Sequence, residues 1–279
     1  MLQAAAELKG QIAALLERAK AADAAERNEP ELDVPAEIER REDRLAIIGA
    51  AKARLEARQR EADVERGRSE GDDRRPRHPD GTSKQGPSYK REFGVPKADA
   101  QESFTDPDSR IMKHGNGAFE QSYNGHTAVD ADKHIIVAAE LSQNAADSDR
   151  LPALLEAVQT NLEALPQQTL ADAGFRSEAV LEQLAEIASD VIVALGREGR
   201  DNARIDAQKY PRTAAMAARL QTAPVKDAYR RRKHIVEPPN GWIKSVLGFR
   251  QFSLRSFDKA KCEWKLVCMA LNLRRMAYL

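Results

Sequence analysis

Apolar residues recur at helical spacing in two N-terminal stretches, as Leu8, Ile12 and Leu15 within residues 1–27 and as Leu45, Ile48 and Leu55 within 36–65. The text between them, RNEPELDVPAE, carries prolines and predicts a helix–helix connection, so residues 1–65 are expected to form a helical hairpin arm. From 66 to 99 apolar positions nearly vanish and charge, Gly, Pro and Ser dominate, which predicts a flexible linker. The pattern then changes period. SYNGHTAVDADKHIIVAAELS predicts two strands joined at Asp130–Lys133, and a helix follows with Leu151, Leu154, Leu155, Val158 and Leu162 on one face, capped by Asp147 or Ser148. TLADAGF predicts a short strand ending at Asp172, SEAVLEQLAEIA a helix capped by Ser177, and DVIVALG a buried strand. The last helix carries Trp264, Val267 and Leu271 and is expected to pack on the sheet. Strands alternating with helices predict an α/β domain over residues 100–279.

Composition sharpens this outline in two ways. Of the 279 residues 42% are hydrophobic and 32% charged, and no apolar run approaches the length of a membrane span, so the expected protein is soluble, with no membrane partner, and cytoplasmic. The net charge of zero hides a polarity: residues 1–65 hold 11 Lys/Arg against 15 Asp/Glu, whereas residues 226–261 hold 10 against 3. A basic stretch of that kind favours a polyanion such as DNA. Cys262 and Cys268 fit no zinc spacing and are expected to be free thiols in a helix.

Candidate chemistry lies where strands end. Asp172 stands at a strand's carboxyl end with Gly174 behind it, where a carboxylate either holds a hard cation such as Mg²⁺ or caps the following helix. Glu237 is the second candidate, a lone acid inside YRRRKHIVEPPNGWIK. On ideal helical geometry Tyr229, Lys233, Glu237 and Lys244 fall within roughly 80° of one another, although Pro238 predicts that the helix starts or kinks at Glu237. His126 and His134 are read as ordinary histidines without partners for metal binding, and Trp242 and Phe249 as residues packed on the core.

LADAGFRSEAVLEQLAE, YRRRKHIVEPPNGWIKSVLGFRQFSLR, CEWKLVCMALNL and the upstream FTDPDSRIMKHGNGAFEQSYNGHTAVD together resemble the DDE transposases of bacterial insertion sequences. The resemblance implies a ribonuclease H-like catalytic domain in which two Asp and one Glu bind two Mg²⁺ or Mn²⁺ ions to cut and join DNA. It makes Asp172 the second Asp and Glu237 the Glu, both as metal ligands and catalytic acids, with Tyr229, Arg232, Lys233 and Lys244 contacting DNA. The signature is met at Tyr229, Glu237 and Lys244. Arg232 lies one position too far from Glu237, and Lys233 stands at the expected spacing instead.

The resemblance also implies a first Asp, at the end of a first core strand that precedes the helical arm. Asp80-Gly81-Thr82 has no apolar strand before it, Asp106 and Asp108 read as turn residues, and Asp130 is the best stand-in. The expected fold is therefore an α/β, incomplete ribonuclease H-like core with an N-terminal helical hairpin arm, and with an open apolar slot where the first strand belongs. The expected protein is a truncated transposase inactive by itself, associated with the nucleoid, and partnered by insertion-sequence DNA, by a second copy of itself or by a full-length transposase. The alternatives are a non-catalytic DNA-binding protein derived from a transposase, and the C-terminal part of a split gene.

Overall fold

A computed structural model describes residues 2–24, 34–71, 88–196 and 205–279 of the chain. The chain folds as two units, Met1–Pro107 and Asp108–Leu279. Asp80-Gly81-Thr82 lies outside the described residues, as does most of the connection read between the first two helices.

In the first unit, α1 (Leu2–Ala24) packs against α2 (Val34–Glu65). Leu8, Leu15, Ile48 and Ala51 are buried, as the helical spacing predicts, because burying one apolar stripe is what stabilises helices of this kind. Residues 88–99, read from composition as flexible linker, are held against α2 by polar contacts instead. The Asp63 carboxylate accepts from the Gly94 amide at 3.0 Å and from Gln59 at 2.9 Å, and pairs with Arg68 at 3.1 Å. Arg68 donates to the Arg91 carbonyl and lies over the Tyr89 ring. Gly94 is required here: its φ is +71°, and a Cβ would stand 2.5 Å from Arg60 Cγ. Glu102, almost wholly buried, accepts from Arg54 at 3.0 Å and from Arg58. A low apolar content hides such anchoring, which is why composition alone reads the segment as loose.

The second unit is an α/β domain in which the described residues form three separate two-stranded sheets. β1 (Arg110–Lys113) and β2 (Phe119–Ser122) pair antiparallel, with Arg110 opposite Ser122. β3 (Asn124–Val129) and β4 (Ile136–Ser142) form the expected hairpin, with Gly125 opposite Leu141 and a register shift at Ala128/Val129. β5 (Gln168–Ala171) and β6 (Asp190–Val193) run parallel. Between and after them stand α3 (Leu151–Leu162), α4 (Glu178–Ala185), α5 (Pro211–Gln221), α6 (Ala223–Ser245) and α7 (Phe257–Met276).

Besides a small cluster of Ala138, Leu154 and Val158 that seats α3 on β4, two larger cores among the described residues hold these pieces. One gathers β5 and β6 against α3, α4 and α5, with Val193 wholly buried among Leu155, Val180, Leu184 and Met216. The other packs α7 and the end of α6 on the hairpin, through Ile136, Leu141, Ile243, Trp264, Cys268 and Leu271. Asn272 clips α7 to β4 by closing both backbone groups of Ile136, its amide donating to the carbonyl at 2.8 Å and its oxygen accepting from the N–H at 2.9 Å. Burial pushes the Cys268 thiol up to about 12, and both cysteines are free.

The caps differ in part from expectation. Ser177 caps α4 as read, accepting from the Val180 amide at 3.1 Å. Neither Asp147 nor Ser148 caps α3: the N-cap position is Arg150, with no side-chain bond, and Pro152 in the first turn removes one of the N–H groups that would need a partner. Asp108, read as a turn residue, accepts from the Phe257 amide at 3.0 Å and so serves the start of α7, where Ser256 has φ 76° and gives no cap. α5 was not legible in the polar text before it, and its start is held by Glu178, which accepts from the amides of Arg212 and Thr213 and from the Thr213 hydroxyl. Burial would raise the Glu178 carboxyl, but these three donors outweigh it and hold it below the usual range. Glu178→Ala is expected to cost about 1–2 kcal/mol, as loss of a cap does. Because the folded value is depressed, that stability is present at neutral pH and is lost as pH falls through the carboxylate range. Urea titrations of wild type and variant at pH 7 and pH 3 check this, with the difference between the two proteins shrinking in acid.

Candidate active site and nucleic-acid interface

The carboxyl end of β5 sets the position of Asp172. The residue is half-buried and opens a short 3₁₀ turn, Ala173–Phe175, and its Oδ1 accepts from the Gly174 amide at 3.0 Å. Asp172 therefore does cap, but it caps this turn rather than α4. Its Oδ2 lies 4.0 Å from the Arg232 guanidinium, which reaches in from α6. Arg232 stacks over the Tyr229 ring at 5.5 Å, and its Nε is buried without a hydrogen-bond partner.

A second acid joins this end of the fold. A Cβ on Gly174 would sit 2.7 Å from Asp147 Oδ2 and 3.1 Å from Asp172 Oδ1, so the two carboxylates face each other across the space that the missing side chain leaves. Asp147 Oδ1 accepts from Asn124 Nδ2 at 2.6 Å and lies 3.7 Å from His126 Nδ1. His126 is buried, with its Nε2 3.3 Å from the Ser142 hydroxyl. Burial lowers its pKa against the pull of Asp147, so the ring is neutral at neutral pH. His126 is thus a core histidine, as read, with Asp147 and Ser142 beside it. Asp147 comes from a loop far along the chain, and nothing in the spacing of either residue signals the meeting.

The residues singled out on α6 divide between two sides of one helix. α6 runs unbroken through Pro238 and Pro239, so the expected start or kink at Glu237 is not found as a helix end. Ala228, Pro239 and Ile243 are buried along it, and this packing holds the helix where proline alone would disfavour it. Arg232 turns toward Asp172, with its guanidinium over the Tyr229 ring. Lys233, Glu237 and Lys244 are exposed, and Glu237 stays outside the cleft that Arg231, Arg232, Ile235, Val236 and Asn240 line. Asp130, the stand-in for a first Asp, accepts from the amides of Asp132 and Lys133 in the hairpin turn. It lies at the far end of β3 from Asn124, about 20 Å away at strand rise. Trp242, read as core, is partly exposed under Arg274, whereas Phe249 packs with Phe252 and Trp264 as expected.

The family model described as Transposase DDE domain matches residues 80–273. The chain belongs to this family. Comparisons with curated proteins and with solved structures give no match. The family places the chain among transposases, which act on DNA and generally use a divalent metal. Among the described residues, no group of three His, Cys, Asp or Glu side chains converges to hold a metal ion. Asp172 and Asp147 supply carboxylate oxygens of the right chemistry for Mg²⁺, but the donor set stops short of a two-metal centre. No helix among the described residues is long and apolar enough to cross a membrane.

Proposed function

We propose that this chain is a DNA-binding transposase whose described residues form an incomplete cutting centre. One observation carries the reading: Asp172 faces a cleft beside Arg232, while Glu237 stands outside that cleft on the solvent side of α6. In this reading Asp172 and Glu237 become acids of one cutting centre only once Glu237 is brought to the cleft, and a further carboxylate from elsewhere is needed before Mg²⁺ or Mn²⁺ is held tightly. The exposed cations Lys233 and Lys244 contact phosphates, and Arg232 orders the Asp172 end of the cleft. DNA held this way keeps the protein with the nucleoid in the cytoplasm. Insertion-sequence ends are its natural ligand, and a second copy or a full-length transposase is its protein partner.

Lys233→Gln combined with Lys244→Gln is expected to weaken binding to a fluorescein-labelled duplex and to lower the slope of log affinity against log salt by about 2, near 0.9 per lost phosphate contact. Fluorescence anisotropy across a salt series reads both. The unmodified chain is expected to leave the same duplex uncut in Mg²⁺ or Mn²⁺. Cleavage that disappears with Asp172→Asn would overturn the reading of an incomplete centre.

A further inference from the structure

α7 carries two apolar stripes on opposite sides. One packs on the hairpin through Ala260, Trp264, Cys268 and Leu271. The other, Leu266, Met269, Leu273 and Met276, is more than half exposed at every position. A helix that is apolar all round is a buried helix, so the second stripe needs a cover. Its spacing says of which kind. Steps of three, four and three residues are the a and d positions of a heptad, the pattern by which a helix packs against another like itself. Ala270 and Ala277 flank the stripe with small, exposed side chains that let two backbones approach. Arg274 lies over the partly exposed Trp242 ring, so the apolar surface continues onto α6.

We infer that this face of α7 is a dimer interface, on which a second copy of the chain seats its own α7 antiparallel. With the two-fold axis level with Leu271, Leu266 meets Met276 of the second copy and Met269 meets Leu273, so the stripe is its own complement. Charge selects that direction. A parallel pair would set Lys259, at the preceding a position, against its own copy, and Asp258 beside Glu263. The antiparallel pair leaves these residues outside the overlap and opposes the two helix dipoles. Both copies together bury about 1,000–1,200 Å², the lower end for a specific interface, so the dimer is a weak one that forms at micromolar concentrations. This rests on the reading above that a second copy is the protein partner and gives that copy its surface. It is measured without DNA, so DNA binding and dimerisation can each fail without the other.

Sedimentation equilibrium of the full chain without DNA, up to about 100 µM, is expected to show a monomer–dimer equilibrium. Leu273→Glu puts a charge into the seam at an exposed position. It should weaken association at least about a hundredfold and leave the circular dichroism spectrum unchanged. Direction is read with single thiols. Met269→Cys and Leu273→Cys, each combined with Cys262→Ser, are oxidised separately and as a mixture, while Cys268 stays buried. A covalent dimer is expected in the mixture alone, because two Cα atoms more than about 7 Å apart cannot be bridged. A chain that stays monomeric, a dimer that Leu273→Glu leaves intact, or covalent dimers formed by each variant alone overturns the proposal.

Discussion

Replacing Trp264 by Ala is expected to destabilise the second unit by about 3–5 kcal/mol, the range for truncating a large buried aromatic. Trp264 is the keystone of the core between α7 and the hairpin. Its ring packs so closely on β3 that a Cβ on Gly125 would stand 3.1 Å from Trp264 Cε2, and it lies 6.2 Å from the Phe249 ring. Its Nε1 also reaches the His126 carbonyl at 3.5 Å, a long contact that contributes little beside the packing. The indole thus fills a space that no smaller side chain occupies, and the strand glycine opposite leaves nothing able to move in. Urea unfolding followed by circular dichroism should show the midpoint fall by about 1–2 M. Trp264→Phe keeps most of the apolar volume and should lose roughly half as much. Equal losses for the two variants would place the effect in the hydrogen bond rather than in the packing.

Arg68→Ala should release residues 88–95 from α2 at a local cost of about 3–5 kcal/mol, because it leaves the Asp63 carboxylate buried without its cation. Both side chains are nearly inaccessible, at 3% and 2% exposure, so solvent screening softens the loss very little. Burial alone would raise the Asp63 carboxyl. The Gly94 amide, Gln59 and Arg68 outweigh it and hold the carboxyl below its usual range. A depressed folded value means that the anchor is at full strength at neutral pH and fails as pH falls through the carboxylate range. Hydrogen exchange at the Gly94 amide reads this directly. Protection should be high at pH 7 in the wild type, lost in acid, and lost at every pH in Arg68→Ala. Replacing both partners, as Asp63→Leu with Arg68→Met, should recover part of the stability, since no buried charge is then left alone.

Much of the second unit is legible from its periodicities. The hairpin, α3, β5, α4, β6 and α7 each carry apolar residues at the spacing of their element and bury most of those so marked, although Leu162 at the end of α3 is exposed and Val267 of α7 is half-buried. β1 and β2 escape because their strands are mostly exposed, and FEQS offers no buried face to alternate against. α5 escapes because its start depends on Glu178, a residue of another helix. α6 is half legible: its four clustered cations mark it, but only burial of Pro239 and Ile243 shows that it continues past the prolines.

The site divides in the same way. Asp172 is readable because a strand and a glycine frame it in the sequence. Asp147 and His126 are not, since their meeting depends on how the loop before α3 folds back over β3. Tyr229, Lys233, Glu237 and Lys244, expected within one arc of a helix that starts or kinks at Glu237, all stand on one unbroken helix, with Tyr229 half-buried and the other three exposed. What helical spacing could not supply is which side of that helix faces the fold, and that side carries Arg232.

The Asn272 clip has a consequence for synthesis. Ile136 and Asn272 are 136 residues apart, and α7 is the element that covers the hairpin's apolar face. While the chain is still being translated, β3 and β4 can pair locally, but one face stays wet until α7 has been made. Closure of this unit therefore waits for α7 and is limited by a long loop, not by local propensity. A ribosome stalled shortly before residue 264 would carry a nascent chain with a paired but uncovered hairpin, a natural target for a chaperone.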